Sequence, residues 1–286
     1  MIIMSASTMR NNSSYIQLRN NLIKQFEGEF SWVYTDHRGY PTIGWGCNIQ
    51  GDGNLRRSVY DQLGIPSTVD GDALRLALDA AIASYSTPNQ TAENNPLKTQ
   101  LDSILSAHAP ALLAAGFTIQ PTFDLTQTQI AAVFNGGTGS REDALDLWLD
   151  NINIDINQSA ALFSLVWNNY IRSNGTGSPS LQGALARGDR AEAWYEIRYN
   201  MPDGNLGRHF AEAQVFGLYS DPSSVSATEA QQVLSMYLAH KDSIFSSGYD
   251  VRSTYSNANA YLNNANFVSG ITGQESADTI GQILKP

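Results

Sequence analysis

The fold is decided by one stretch, residues 14–48, which reads SYIQLRNNLIKQFEGEFSWVYTDHRGYPTIGWGCN. Its first half predicts a short amphipathic helix, because Leu18, Leu22 and Phe26 recur at four-residue steps and mark one buried stripe. Gly28 comes two residues later, and glycine tolerates the positive φ that commonly follows a helix end. The helix is therefore expected to stop one residue before this glycine.

The second half of the stretch predicts a β-hairpin. Phe30, Trp32 and Tyr34 alternate with other residues at the period of a strand, and residues 36–39 supply turn chemistry. Residues 40–46 would form the return strand, and the proline within it restricts it to an edge or an irregular pairing. A helix end and a hairpin turn are thus brought close together in the chain.

Short motifs mark the starts of other helices. Three pairs have the spacing of a capping box: Ser14 with Gln17, Thr126 with Gln129, and Ser226 with Glu229. Asn95 before Pro96 predicts an N-cap followed by a proline at the first helical position. The helix that begins there either links two lobes or packs as an ordinary core helix.

Composition places the chain among globular proteins. It has 286 residues, of which 42% are hydrophobic and 15% charged, so it can bury a sizeable core. A single cysteine excludes an intramolecular disulfide framework, and no Cys/His spacing suggests a metal site, so we expect no metal and no cofactor. The net charge is −10, and no basic stripe interleaves with aromatics, which excludes nucleic acid as the expected partner.

Two carboxylates on different elements suggest the chemistry of glycoside hydrolysis, in which one carboxyl donates a proton and the other stays ionised. Glu27 closes the predicted helix beside Phe26 and near Trp32, and an apolar wall disfavours the charged form, so it is the better candidate acid. Asp36 lies in the polar turn and should remain ionised. Without further information, the same two residues can be read as a solvated charge and a turn former.

Several residues of the stretch together resemble the active-site segment of phage-type lysozymes, the muramidases of endolysins and related bacteriocins. The matching motifs are Phe26-Glu27-Gly28, Tyr34-Thr35-Asp36, Gly39 and Thr42-Ile43-Gly44-Trp45-Gly46. In that family a Glu, an Asp nine positions later and a Thr fifteen positions later form the catalytic set. Glu27, Asp36 and Thr42 have these offsets.

The resemblance implies a role for each of the three residues. Glu27 would be the general acid, Asp36 the base or electrostatic partner, and Thr42 the hydroxyl that helps to hold the attacking water. One position departs from the family, which usually has His directly after Gly-x-Gly, where this chain has Cys47. That His is mainly structural, so the change concerns local packing, and a buried small hydrophobe is the other reading of this cysteine.

The candidate substrate contacts are Asn48, Phe134 and Asn135. Asn48 opens a polar, glycine-rich connection, while Leu125–Gly137 resembles the family's Leu-x-x-x-Gln-x-x-Ala stretch that borders the saccharide groove. An aromatic ring offers a face to a sugar, and an amide both donates and accepts hydrogen bonds. The alternative is a plain helix whose last core residue is Phe134 and which is capped by Gly136.

Two further segments bear on the function. Residues 181–219 resemble the closing helices of such lysozymes, with Trp194, Phe210 and Phe216 expected in the core and His209 in a structural role. Gly51-Asp52-Gly53 is like a fragment of a Ca²⁺ loop, but the later ligands are missing, so no metal is expected there.

The expected fold is mainly α, of the lysozyme-like α+β class, with a small N-terminal β-hairpin lobe and a larger helical lobe. The expected muramidase domain covers residues 1–224 and is followed by a helical extension at 225–286. Its expected parts are the active-site helix and hairpin at 14–60, connecting helices at 61–124, and a helical lobe at 125–224. The extension is a helix packed on the domain, a wall-binding appendage or the start of a linker.

The first functional hypothesis is a muramidase that hydrolyses the β-1,4 bond between N-acetylmuramic acid and N-acetylglucosamine with inversion. The alternatives are a non-catalytic glycan-binding module and a lytic transglycosylase, which needs the acid but no water-activating Asp. Chitin is also an open substrate, because no residue identifies a contact to the lactyl group of muramic acid.

The biological setting follows from the same resemblance. We expect a monomer that is made in the cytoplasm without a recognisable signal peptide, does not insert into membranes, and acts on the periplasmic or extracellular wall. Its partner would be the glycan strand of peptidoglycan. A phage endolysin would also need a holin, and an antibacterial effector would involve a secretion system or an immunity protein.

Overall fold

The computed structural model describes residues 9–202 and 205–245. These residues form eleven helices and one small antiparallel sheet, which confirms a mainly helical chain with a small β element. The strands are β1 (Phe30–Thr35), β2 (Pro41–Gly44) and β3 (Cys47–Asn48). The helices are α1 (Ser13–Glu27), α2 (Gly53–Gln62), α3 (Val69–Ser84), α4 (Pro96–Ala114), α5 (Gln127–Gly137), α6 (Gly139–Leu149), α7 (Ile156–Trp167), α8 (Pro179–Ala186), α9 (Arg190–Tyr199), α10 (Leu206–Phe216) and α11 (Ala227–Phe245).

The chain divides into two compact units. One is Ile23–Gly139, and the other combines Met1–Leu22 with Ser140–Pro286. All six candidate site residues lie in the unit Ile23–Gly139, which we call the sheet unit, and the other is the helical unit.

Helix α1 has a start that differs from the prediction and an end that agrees with it. The side chain of Asn12 accepts hydrogen bonds from the amides of Ser14 (3.0 Å) and Tyr15 (3.2 Å), so Asn12 is the cap and the capping box at Ser14 is wrong. The helix ends at Glu27, and Gly28 follows with a φ of +74°. Glu27 is thus the last helical residue, as its position before the glycine predicts.

The sheet has the strand order β1-β2-β3, and all its pairs are antiparallel. Tyr34 pairs with Thr42, and Thr42 pairs with Asn48. The return strand is shorter than predicted, because it ends at Gly44, where φ is +65°. The chain then turns and forms the two-residue strand β3, which the sequence pattern does not predict.

Helix α4 belongs to the core of the sheet unit. Asn95 caps it by accepting from the Lys98 amide (2.8 Å), and its amide nitrogen donates to the Val33 carbonyl of β1 (2.7 Å). The helix packs on α3 and β1, and its whole length lies inside this unit. Of the two readings that the sequence leaves open, the ordinary core helix is therefore correct.

The helical unit is built around α7. Every residue from Ser159 to Trp167 is buried, so this part of the helix is enclosed by protein on all sides. Inside the unit, the carboxylate of Glu212 accepts from Ser164 (2.6 Å) and contacts His209 Nδ1 at 2.8 Å. This confirms the structural role expected for the histidine, and the predicted core aromatics Trp194, Phe210 and Phe216 are also buried.

Helix α11 is the described part of the predicted C-terminal extension. The capping box is confirmed: Glu229 accepts from the Ser226 amide (3.1 Å), and Ser226 Oγ accepts from the Glu229 amide (3.2 Å). Ala230, Val233 and Met236 are buried, and the helix packs on α9. This part is a helix packed on its unit, while residues 246–286 of the predicted extension lie outside the described residues. Across the described segments, no helix combines the length and apolar character that a membrane span requires.

Candidate active site

Glu27 lies directly against the turn that joins β2 to β3. A Cβ atom added at Gly46 would lie 2.5 Å from Glu27 Oε2 and 2.8 Å from its Cδ. Gly46 also has a φ of +72°, a conformation that residues with a Cβ rarely adopt. The glycine therefore serves the turn and leaves room for the carboxyl of Glu27, whose side chain is half-buried.

Three side chains form a row across the small sheet. Tyr34, Thr42 and Asn48 are directly opposite one another on β1, β2 and β3, and such partners share one face of a sheet. The Thr42 hydroxyl is buried and donates to the Tyr40 carbonyl at 2.9 Å. Because its proton is engaged there, its remaining lone pair can only accept a hydrogen bond, for example from water.

Asp36 forms the turn between β1 and β2 and also keeps one oxygen available. Its Oδ1 accepts from the amides of Arg38 (2.8 Å) and Tyr40 (2.9 Å), which is the turn-forming role considered for it. Its Oδ2 accepts no hydrogen bond from the residues that the structure describes. The two backbone donors therefore hold the carboxylate in place, and its second oxygen is open to a ligand.

Tyr34 connects the two carboxylates electrostatically. Burial raises the pKa of its phenol well above the ordinary value, and the negative charge of Glu27, followed by Cys47 and Asp36, raises it further, while the backbone of Gly46 acts in the opposite direction. The phenol is thus protonated and lies within electrostatic range of both carboxylates.

Tyr34 is part of the motif that resembles the phage-lysozyme segment, but its role was not predicted from the sequence. Two signals could have identified it. It stands two positions before Asp36, so in an extended strand both side chains point to the same face, and the hairpin pairs it with Thr42. Its position in the chain therefore already placed it beside two of the three candidate catalytic residues.

A second glutamate close to Glu27 has a different function. Glu29 accepts from Lys24 Nζ (2.5 Å), from Trp45 Nε1 (3.3 Å) and from Gln127 Nε2 (3.5 Å). These contacts tie the end of α1 to the β2–β3 turn and to α5. Glu29 therefore has a structural role.

The three candidate substrate contacts differ in exposure. Asn48 Oδ1 accepts from the amides of Gln50 (3.0 Å) and Gly51 (2.8 Å), and its Nδ2 donates to no described residue. Asn135 is exposed near the end of α5. Phe134 is fully buried, with its ring centroid 5.3 Å from that of Trp45, so we correct its assignment: it offers no face to a sugar and is a core residue.

The end of helix α5 also differs from the prediction. The helix does not stop at Gly136 but continues through Gly137 and is followed by Thr138. A Cβ added at Gly137 would lie 1.9 Å from Leu55 Cδ2. The close packing of α5 on α2 therefore requires glycine at position 137. This is a tertiary contact, so the local sequence does not predict it.

Two predictions about the surroundings of the site can be compared with the structure. Cys47 is fully buried, in agreement with its reading as a small hydrophobe. Asp52 of the fragment that is like a Ca²⁺ loop instead caps α2, because its Oδ1 accepts from the amides of Asn54 (3.0 Å) and Leu55 (3.1 Å). Within the described ranges, no group of three or more His, Cys, Asp or Glu side chains is arranged to hold a metal ion.

The chain was compared with known proteins in three ways. Comparisons with protein-family models, with curated proteins and with solved structures found no match. The assignment of a function therefore depends on the chemistry of the site and on the motif that carries the family resemblance.

Proposed function

We propose that the chain is a muramidase of the phage-lysozyme type, which hydrolyses the β-1,4 bond between N-acetylmuramic acid and N-acetylglucosamine. One observation carries the proposal: the carboxyl of Glu27 lies against the turn at one end of the four-residue strand β2, and Asp36 forms the turn at its other end. Two carboxylates separated by one short strand, which also carries the Thr42 hydroxyl, are suited to acid–base cleavage of a glycosidic bond.

In the proposed reaction Glu27 donates its proton to the glycosidic oxygen as the bond from that oxygen to the anomeric carbon breaks. A water molecule attacks the opposite face of the sugar and forms the new bond to the anomeric carbon. It gives one proton to Asp36 Oδ2, so both carboxyl groups change protonation state once. Exchange with solvent then restores them.

Thr42 would orient this water. Its hydroxyl proton is engaged by the Tyr40 carbonyl, so Oγ1 accepts one hydrogen of the water while Asp36 Oδ2 accepts the other. Both hydrogens are then directed toward the protein, and a lone pair of the water is directed toward the sugar. This arrangement supports inversion, for which the carboxyl groups must be roughly 6.5–9.5 Å apart.

Asn48 is the best-supported substrate contact. It ends the row Tyr34–Thr42–Asn48, and its Nδ2 has no acceptor among the described residues. A sugar hydroxyl or an acetamido carbonyl is a suitable acceptor for such an amide. We propose Asn135, which is exposed, as a second substrate contact.

The proposed biological use is cell lysis by a monomeric endolysin or antibacterial effector.

The proposal is tested by comparing the wild type with Glu27→Gln on chloroform-treated Gram-negative cells, whose turbidity falls when the wall is cut. We expect Glu27→Gln to lower the rate by roughly 10²–10⁴-fold, because it removes the proton donor. Glu93→Gln, which removes an exposed carboxylate from the same unit, is the control and should retain the wild-type rate.

The outcomes of this comparison are distinct. Equal rates for the wild type and Glu27→Gln would contradict the catalytic role of Glu27. Binding to the wall without any turbidity loss would indicate a glycan-binding module. Products that end in anhydro-muramic acid, detected by mass spectrometry, would indicate a transglycosylase and would contradict the role given to Asp36.

A further inference from the structure

A second pocket lies within the sheet unit, between helices α2 and α3. Its volume is about 400 Å³, and it is separate from the row of candidate catalytic residues. Three arginines line it, Arg56 and Arg57 from α2 and Arg75 from α3, together with Asp72 and Asp79. The lining therefore carries three positive and two negative charges, although the whole chain has a net charge of −10.

Arg56 is held in a fixed orientation at this pocket. Its Nε donates to Asp79 Oδ1 (2.7 Å), and its Nη1 donates to the carbonyls of Ile49 (2.7 Å) and Gln50 (3.2 Å). The Tyr60 hydroxyl donates to the same oxygen of Asp79 at 2.7 Å. Among the described residues, Nη2 has no acceptor, so it is available as a donor on a guanidinium whose position is already determined.

Arg75 is held in the same manner from the opposite helix. Its Nη1 donates to the Pro66 carbonyl, and its Nη2 donates to the Thr68 carbonyl (3.1 Å) and to Asp72 Oδ1 (2.5 Å). Its Nε has no acceptor among the described residues. Each aspartate thus neutralises and orients one arginine.

Arg57 contributes the third positive charge of the pocket lining. It is exposed, and it forms no hydrogen bond or ion pair with any residue that the structure describes. Its guanidinium therefore faces a pocket in which two other guanidinium groups are fixed and both aspartates are engaged. Arginine forks of this kind match the oxygens of carboxylate and phosphate groups.

We infer that this pocket binds a small oxyanion, a phosphate or carboxylate group on a compact organic body. The volume exceeds what a bare ion needs, and Leu76, with 69% of its surface exposed at the rim, offers an apolar contact to the rest of such a ligand. The inference does not depend on glycan cleavage, because none of its residues belongs to the proposed catalytic set.

The test is a titration of the ¹⁵N-labelled full chain, followed by NMR at constant ionic strength. Inorganic phosphate, glycerol phosphate and glutarate are added in separate experiments. We expect saturable shifts of the amides in Gly53–Gln62 and in the second half of α3. Arg57→Gln should weaken binding about tenfold, since one charge-assisted hydrogen-bond partner is lost.

Arg187→Gln is the matched control, because it removes the same charge from an exposed position of the helical unit. It should bind as the wild type does. Tighter binding of glycerol phosphate identifies a phosphate ligand, and tighter binding of glutarate identifies a carboxylate ligand. The absence of saturable shifts with all three probes, or equal weakening by the two variants, would overturn the inference.

Discussion

At the scale of single residues, the position of the Glu27 carboxyl depends on the absence of a side chain at Gly46. A β-carbon added at residue 46 would lie only 2.5 Å from Oε2 of Glu27. Any side chain at this position must displace either the turn or the carboxyl. Since the turn is held by strand pairing on both sides, we expect the carboxyl to move.

Gly46→Ala is therefore predicted to abolish wall cleavage while it leaves the protein folded. The positive φ should cost about 1–2 kcal/mol of unfolding free energy. Gly116→Ala is the matched control, because Gly116 has a φ of +88° and a Cβ there would meet nothing within 4 Å. Both variants should lose similar stability in urea unfolding, but only Gly46→Ala should lose activity. Full activity of Gly46→Ala would show that the contact with Glu27 is irrelevant.

Tyr34→Phe is predicted to lower kcat about tenfold with little change in KM. The ring would keep its packing on Phe30, whose centroid lies 4.6 Å away, so the fold should be retained. The variant loses the polar group that lies opposite Thr42 in the sheet, where the attacking water is proposed to bind. An unchanged kcat would assign Tyr34 to packing alone.

At the scale of elements, the hairpin is held in place by helix α4. Asn95 is almost fully buried and joins the two: it caps the helix at Lys98 and donates to the carbonyls of Val33 (2.7 Å) and Ala92 (2.8 Å). One side chain thus satisfies a helix end and a strand at the same time.

Asn95→Ala should lower the unfolding free energy by about 2–4 kcal/mol, because a cap is lost and buried carbonyls are left without a donor. Thr126→Ala, at the exposed capping box of α5, should cost only about 1 kcal/mol. Urea denaturation of both variants measures the difference. Equal losses would show that the contact from Asn95 to the strand contributes nothing.

Much of this architecture could be predicted from the sequence, and the exceptions have physical causes. The end of α1, the hairpin turn at Asp36 and the caps at Asn95 and Thr126 depend on local chemistry, which the sequence displays directly. Strand β3 and the packing role of Gly137 depend on partners far along the chain. The predicted start of α1 was wrong because Asn and Ser are both good N-cap residues, and the sequence offers one at position 12 and one at position 14.

In the candidate site, too, some features follow from the local sequence and others depend on contacts far along the chain. Glu27, Asp36 and Thr42 were predicted from the motif that resembles the phage-lysozyme segment, and the elements that carry them lie together in the sheet unit. Phe134 was misassigned because an aromatic near a helix end looks the same in sequence whether it faces a ligand or the core. Only its contact with Trp45 distinguishes the two.

At the scale of the whole molecule, the net charge should determine how the proposed activity responds to salt. The chain carries −10 overall, although residues 1–60 have six Lys and Arg against four Asp and Glu. An acidic protein is repelled by the anionic wall, and salt screens this repulsion over a Debye length of about 8 Å at 0.15 M. We predict that kcat/KM on intact peptidoglycan rises as the ionic strength increases toward about 0.15 M. A steep fall would indicate that a basic surface steers the substrate.

The central claim is that Glu27 and Asp36 act together on one glycosidic bond with a water molecule between them. It is tested most directly by recording the anomeric proton of the new reducing end during cleavage of purified peptidoglycan strands by NMR. We predict that the wild type first produces the α-anomer and that Glu27→Gln forms new reducing ends at least about 100-fold more slowly. Initial release of the β-anomer, or new reducing ends formed at an equal rate by Glu27→Gln, would contradict the account.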